Sequence, residues 1–80
     1  MQTIRSNAAF GARIRELRNE ARMTQEQVAA QLQVRGCDIS RSSYSQIECG
    51  IHGIRVEELI ALKQIFRVSY DDFFSPLEDH

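Results

Sequence analysis

The cysteines and histidines that could begin a zinc site are few in this chain of 80 residues. Cys37, Cys49 and His52 would begin a metal site, yet their spacing fits no compact zinc pattern, and a fourth ligand would have to come from His80. Neither a metal nor any other cofactor is read from them. Two cysteines make no disulfide framework and are read as free thiols, with Cys37, in a loop, read as an idle cysteine in preference to a reactive one. For catalysis the sequence offers no Ser-His-acid arrangement and no glycine-rich phosphate loop, and His52 alone reads as a turn residue. The adjacent acids, Glu57-Glu58 and Asp71-Asp72, fall at helix starts, where the positive end of a helix favours carboxylates. The chain is not read as an enzyme. What remains is hydrogen bonding from an ordered surface. After Ser40, helical spacing puts Tyr44, Ile47 and Glu48 on one side and Arg41, Ser42, Ser45 and Gln46 on the other. The outer four are short or hydrogen-bonding, with no large apolar group among them. Any amphipathic helix shows such a face to water, so the pattern alone leaves both a binding surface and a solvated one open.

The elements that must position this face are short helices. Phe10, Ile14, Leu17 and Ala21 recur at helical spacing, so a first helix runs from a cap at Ser6 or Asn7 to about Arg22. Gly11 inside it costs about 1 kcal/mol relative to alanine and implies a close neighbour. Thr24 and Gln27 form a capping box, flanked by Met23 and Val28 as a hydrophobic staple, and open a second helix of about two turns through Leu32. Ser40 caps a third helix, stapled by Ile39 and Tyr44 and closed by Gly50. A fourth runs from about Val56 to Phe66 with Leu59, Leu62 and Phe66 inward. A last turn starts at Ser69, with Asp72 completing a variant box, Val68 and Phe73 as its staple, and Pro76 beyond its end. Nothing reads as a strand. Five short helices with tight joins predict an all-α, compact orthogonal bundle. It forms a single domain over residues 1–80, with a core of about 7–75, an N-terminal arm 1–6 and a C-terminal tail 76–80.

At 42% hydrophobic and 26% charged residues, the chain has the composition of a folded domain and not of a disordered one. No apolar run approaches the roughly 18 residues of a membrane span, and the first residues lack the apolar stretch of a secretory signal, so a cytoplasmic protein is expected. The net charge of −1 hides an asymmetry. Residues 1–55 carry eight arginines against five acids, a balance of +3, and residues 56–80 carry Lys63 and Arg67 against six acids, a balance of −4. A basic front with an acidic back suits a domain that docks on nucleic acid and turns its rear to a partner.

From Phe10 to Phe74 the chain resembles the phage repressor and Cro-type (XRE-like) helix-turn-helix family. The resemblance is carried by Arg13-Ile14-Arg15-Glu16-Leu17-Arg18, Thr24-Gln25-Glu26-Gln27-Val28-Ala29 and Ser45-Gln46-Ile47-Glu48-Cys49-Gly50. Leu59-Ile60-Ala61-Leu62 and Val68-Ser69-Tyr70-Asp71-Asp72-Phe73-Phe74 continue it in the family's order. It implies that the helix from Thr24 crosses a DNA backbone, with Gln25 beside a phosphate, while the helix from Ser40 enters the major groove. Arg41 would then grip guanine O6 and N7, Gln46 would suit adenine, and Ser42 and Ser45 would complete the reading face. Arg18 and Glu48 stand where the family places a structural ion pair between its first and third helices.

Two departures accompany the resemblance. The family joins its second and third helices by about 3–4 residues. Here Gln33 to Ile39 intervene, and Arg35 among them is a further candidate for a phosphate. After Gly50, where relatives place basic residues, the chain has Ile51-His52-Gly53-Ile54 and then Arg55, so few counterions would be released and Ile51 and Ile54 would pack on the core or on a partner. The function expected is that of a homodimeric repressor on an inverted repeat of double-stranded DNA, with Phe66, Tyr70, Phe73 and Phe74 as candidate dimer contacts, the alternative being that all four belong to the core. The alternative is a protein-interaction module, such as an antitoxin that neutralises a toxin partner through its acidic C-terminal part, with DNA binding secondary.

Overall fold

The structure, a computed structural model, describes residues 3, 4 and 7–78. Its helices begin where side chains satisfy amides that the first turn leaves free. Asn7 accepts from the Phe10 N–H at 2.9 Å and opens α1 (Ala8–Glu20); Ser6, the other cap considered, lies outside the described residues. Thr24 and Gln27 close the expected reciprocal box, at 3.1 and 2.9 Å, on α2 (Gln25–Val34). Ser40 accepts from the Ser43 N–H at 3.1 Å and opens α3 (Arg41–Glu48). Glu58 reaches back to the Arg55 N–H at 2.8 Å at the start of α4 (Val56–Phe66). Ser69 and Asp72 cap each other's backbone, at 2.8 and 3.2 Å, before α5 (Tyr70–Glu78). Each such cap contributes about 1 kcal/mol.

Each of the first four helices ends near a residue in the left-handed region: Arg22 (φ 59°), Gly36 (φ 90°), Gly50 (φ 75°) and Arg67 (φ 58°). At Gly36 the Cys37 N–H turns back to the Leu32 carbonyl at 2.9 Å, and at Gly50 the Ile51 N–H reaches the Gln46 carbonyl at 3.0 Å. These are Schellman closures. Arg22 and Arg67 adopt the same conformation with a side chain, at a cost of about 1–2 kcal/mol each.

The core gathers Phe10, Ile14 and Leu17 from α1, Val28 and Leu32 from α2, Tyr44 and Ile47 from α3, Leu59, Leu62 and Phe66 from α4, and Phe73 from α5. The helix α1 packs on α3 and α5, while α2 packs on α3 and α4. The bundle expected from periodicity is the one observed, with three corrections. A two-residue pairing exists: β1 (Thr3–Ile4) runs antiparallel to β2 (Ile54–Arg55), with Ile4 opposite Ile54. Two residues per strand are too few for the alternation that marks a strand in sequence. The helix α2 extends to Val34, two residues further than expected, because its closing glycine is Gly36.

The third correction concerns Pro76, which lies inside α5 and not beyond it. Proline lacks the N–H that would bond the carbonyl four residues back, here that of Asp72. The Arg13 Nε takes that carbonyl instead, at 2.6 Å, so a neighbouring helix satisfies the acceptor that proline leaves vacant.

Candidate nucleic-acid interface

The polar face of α3 stands as its spacing predicts. Arg41, Ser42 and Gln46 are exposed, Ser45 is half-buried, and Tyr44, Ile47 and Glu48 are buried beneath. Two glycines hold the far side of this helix against α1. A Cβ on Gly11 would lie 2.5 Å from the carbonyl oxygens of both Ile47 and Glu48, so α1 and α3 meet backbone to backbone there. A Cβ on Gly50 would lie 2.6 Å from Ala8 Cα. The close neighbour that Gly11 implied is therefore the last turn of α3, and any side chain at 11 or 50 would push α3 off its support.

The ion pair expected between Arg18 and Glu48 forms, with Arg18 Nε and Nη2 donating to the two carboxylate oxygens at 2.7 and 3.1 Å. Arg18 Nη1 also donates to the Met23 carbonyl at 2.9 Å. Burial works against the charge on Glu48, but the bonds from Arg18 foremost hold its carboxyl below the ordinary glutamate range, and the same pairing raises Arg18. The Tyr44 hydroxyl lies close to this pair, fully buried, yet no group among the described residues meets it with hydrogen-bond geometry. Burial first, and then the nearby Glu48 carboxylate, push its phenol far above the ordinary range, so it stays neutral.

Gln25 is the residue whose surroundings differ most from expectation. It stands at the first position of α2, half-buried, and its Nε2 donates to Glu48 Oε1 at 3.0 Å. Three helices thus converge on one carboxylate. No sequence signal marks this bond, because nothing in a separation of 23 residues sets it apart from any other pair.

The lengthened connection proves to be ordered. With α2 running to Val34, it comprises residues 35–40. Gln33 Nε2 clamps the Ile39 carbonyl at 2.8 Å, the Ile39 N–H bonds the Cys37 carbonyl at 2.9 Å, and Cys37 and Ile39 are both buried. Arg35 and Arg55 are exposed, and Arg55 lines an open cleft with Asp38, Glu57 and Glu58. The loop thiol is not the accessible one. Cys37 is buried, with its Sγ 3.8 Å from the Glu57 carbonyl, and burial pushes its thiol up, whereas Cys49 at the end of α3 is exposed. Ile54 enters the core through β2, but Ile51 is 71% exposed.

Of the four aromatics read either as dimer contacts or as core, Phe66 and Phe73 are buried in this chain's own core. Phe74 is half-buried and stacks on Phe10 with centroids 5.3 Å apart. Tyr70 is 44% exposed beneath the Lys63 ammonium, 5.2 Å from the ring centre. Among the described residues no three His, Cys, Asp or Glu side chains gather to hold a metal, and His80 lies outside those residues. Among them also, no helix is long and apolar enough to cross a membrane.

A family model described as a helix-turn-helix domain matches residues 9–73, from the first turn of α1 into α5 and across the whole of α2, the turn and α3. No curated protein and no solved structure matches the chain.

Proposed function

The chain belongs to the helix-turn-helix domain family, whose members bind DNA, and from that premise we propose that it is a transcriptional repressor that docks α3 in the major groove of an inverted repeat as a homodimer. The observation that carries this reading is the face of α3, bare and polar on one side and held backbone-to-backbone on the other. A groove about 12 Å wide admits one helix and shows a distinct donor and acceptor pattern for each base pair. Arg41 is the residue for guanine and Gln46 for adenine, with Ser42 and Ser45 between them. Gln25 serves the DNA backbone: one of its two amide hydrogens goes to Glu48, and the other is available for a phosphate at the amino end of α2. Arg35 and Arg55 are outlying phosphate contacts. In a dimer the two copies of α3 lie about 34–36 Å apart along the duplex.

Selection of bound sequences from random duplexes at near-physiological salt tests this function. A palindromic preference is expected. Arg41→Ala should relax one position in each half-site at a loss of about 1–3 kcal/mol, while Gln25→Ala should weaken all sequences about equally. Absence of any sequence preference would sink the reading. A second reading, an antitoxin-like module, draws support from the acidic balance of residues 56–80 and from exposed Ile60 and Tyr70 on that part of the chain. It requires that the chain bind a protein partner at least as tightly when Arg41 is replaced.

A further inference from the structure

The connection between α2 and α3 is longer than a helix-turn-helix needs, yet backbone and side-chain bonds fix it along its length. The Schellman closure at Gly36, the clamp of Gln33 on the Ile39 carbonyl and the Ser40 cap leave little freedom between them. Cys37 and Ile39 are buried anchors, and Asp38 between them is exposed. Asp38 has no ion pair or side-chain hydrogen bond among the described residues, although it shares a cleft with Arg55, Glu57 and Glu58.

Its distance from the reading face is bounded by the chain itself. Three residues separate Asp38 from Arg41, so at roughly 3.3–3.6 Å per residue their Cα atoms are at most about 11 Å apart. That is less than the ~12 Å width of a major groove and close to the ~8 Å screening length at physiological salt. If Arg41 reads a base, an exposed carboxylate on a stiff support lies within about 11 Å of it along the chain, close enough for its charge to be felt at the flanking phosphates.

We propose that Asp38 is a specificity-determining residue, a fixed negative charge that opposes docking on phosphates alone and is compensated only where an exocyclic base amine, cytosine N4 above all, meets it. The inference rests on the DNA-reading role given to α3. Non-specific affinity comes from the phosphates, so a carboxylate within screening reach lowers it at every sequence. A cognate site returns part of that loss through an amine that a carboxylate accepts from in the major groove. An acid placed here only to favour the positive start of α3 would change stability and leave discrimination alone.

The test uses the full chain, its Asp38→Asn variant and its Asp38→Glu variant. Each is titrated against the duplex selected by the parent and against an unrelated duplex at one salt concentration, with thermal unfolding recorded for all three. The Asn variant should bind the unrelated duplex roughly three- to tenfold more tightly. It should gain less on the selected duplex, or lose, so that the ratio of the two affinities falls at least threefold, and the Glu variant should restore that ratio. A ratio that moves less than threefold overturns the proposal, whether both affinities shift together or neither does. A parent chain that binds no duplex at all removes the reading of α3 itself, which is a different result.

Discussion

Glu48 keeps its charge against the opposing effect of burial. Its carboxyl is held below the ordinary glutamate value of about 4.3 because Arg18 and Gln25 bond the charged form. A carboxyl depressed in the folded state contributes stability that is complete above the unfolded value and is lost as pH falls through the folded one. Replacing Glu48 by alanine breaks a buried pair and should cost about 3 kcal/mol at neutral pH, and the gap between variant and parent should narrow as the pH falls below the ordinary glutamate range. Urea unfolding across that range measures it; a gap independent of pH would show that packing and not charge is lost. Asp72, held low by the Ser69 backbone and hydroxyl, titrates in the same direction, so the variant retains some acid sensitivity. On the proposed reading of the DNA interface, the Gln25 amide would give the same pair a part in recognition. If Glu48 orients that amide for a phosphate, Glu48→Gln and Gln25→Ala should weaken DNA binding to similar degrees, and the double variant should be little worse than either single one.

At the level of elements, the decisive contacts are the two glycines under α3. Gly11→Ala should destabilise the domain by about 1–3 kcal/mol or more, because the atoms in the way are carbonyl oxygens of the backbone and have no rotamer to yield. Gly50→Ala should cost a comparable amount through its left-handed φ together with its contact to Ala8. Arg67→Gly should do the reverse, stabilising by about 1 kcal/mol, since its left-handed φ is unfavourable for any residue with a Cβ. Denaturant melts of the three variants read these signs directly. Much of this was legible in the sequence, because caps and closures are local: Asn7, Thr24 with Gln27, Ser40, Gly50 and Ser69 with Asp72 act within a few residues of themselves. Gly11 announced a close neighbour without naming it. What escaped was non-local or carried no special residue type. The pairing of Ile4 with Ile54 spans the chain, the bond from Gln25 to Glu48 depends on how three helices cross, and Arg22 and Arg67 take a conformation for which arginine gives no sign. Cys37 read as a loop thiol because burial inside a turn depends on what the turn is folded against.

For the whole molecule, burial of Phe66 and Phe73 leaves Tyr70 and Ile60 as the exposed large apolar side chains among the described residues from Val56 onward, with Lys63 over the tyrosine ring. If the homodimer uses this surface, Tyr70→Ala should shift the assembly toward monomer in sedimentation and weaken binding to a full inverted repeat more than to a half-site. Equal losses on both would point elsewhere on the surface. The contact from Arg13 to the Asp72 carbonyl has a reach beyond its own neighbourhood, for it ties α1 to the last helix through an acceptor that Pro76 keeps unclaimed. Restoring an amide at that position by Pro76→Ala would introduce a rival for the same oxygen. The usual reward of about 3 kcal/mol for removing a mid-helix proline should shrink accordingly, and it should reappear when Arg13 is also replaced. An irregularity that looks like damage to one helix thus serves as the socket that receives Arg13 of the first helix.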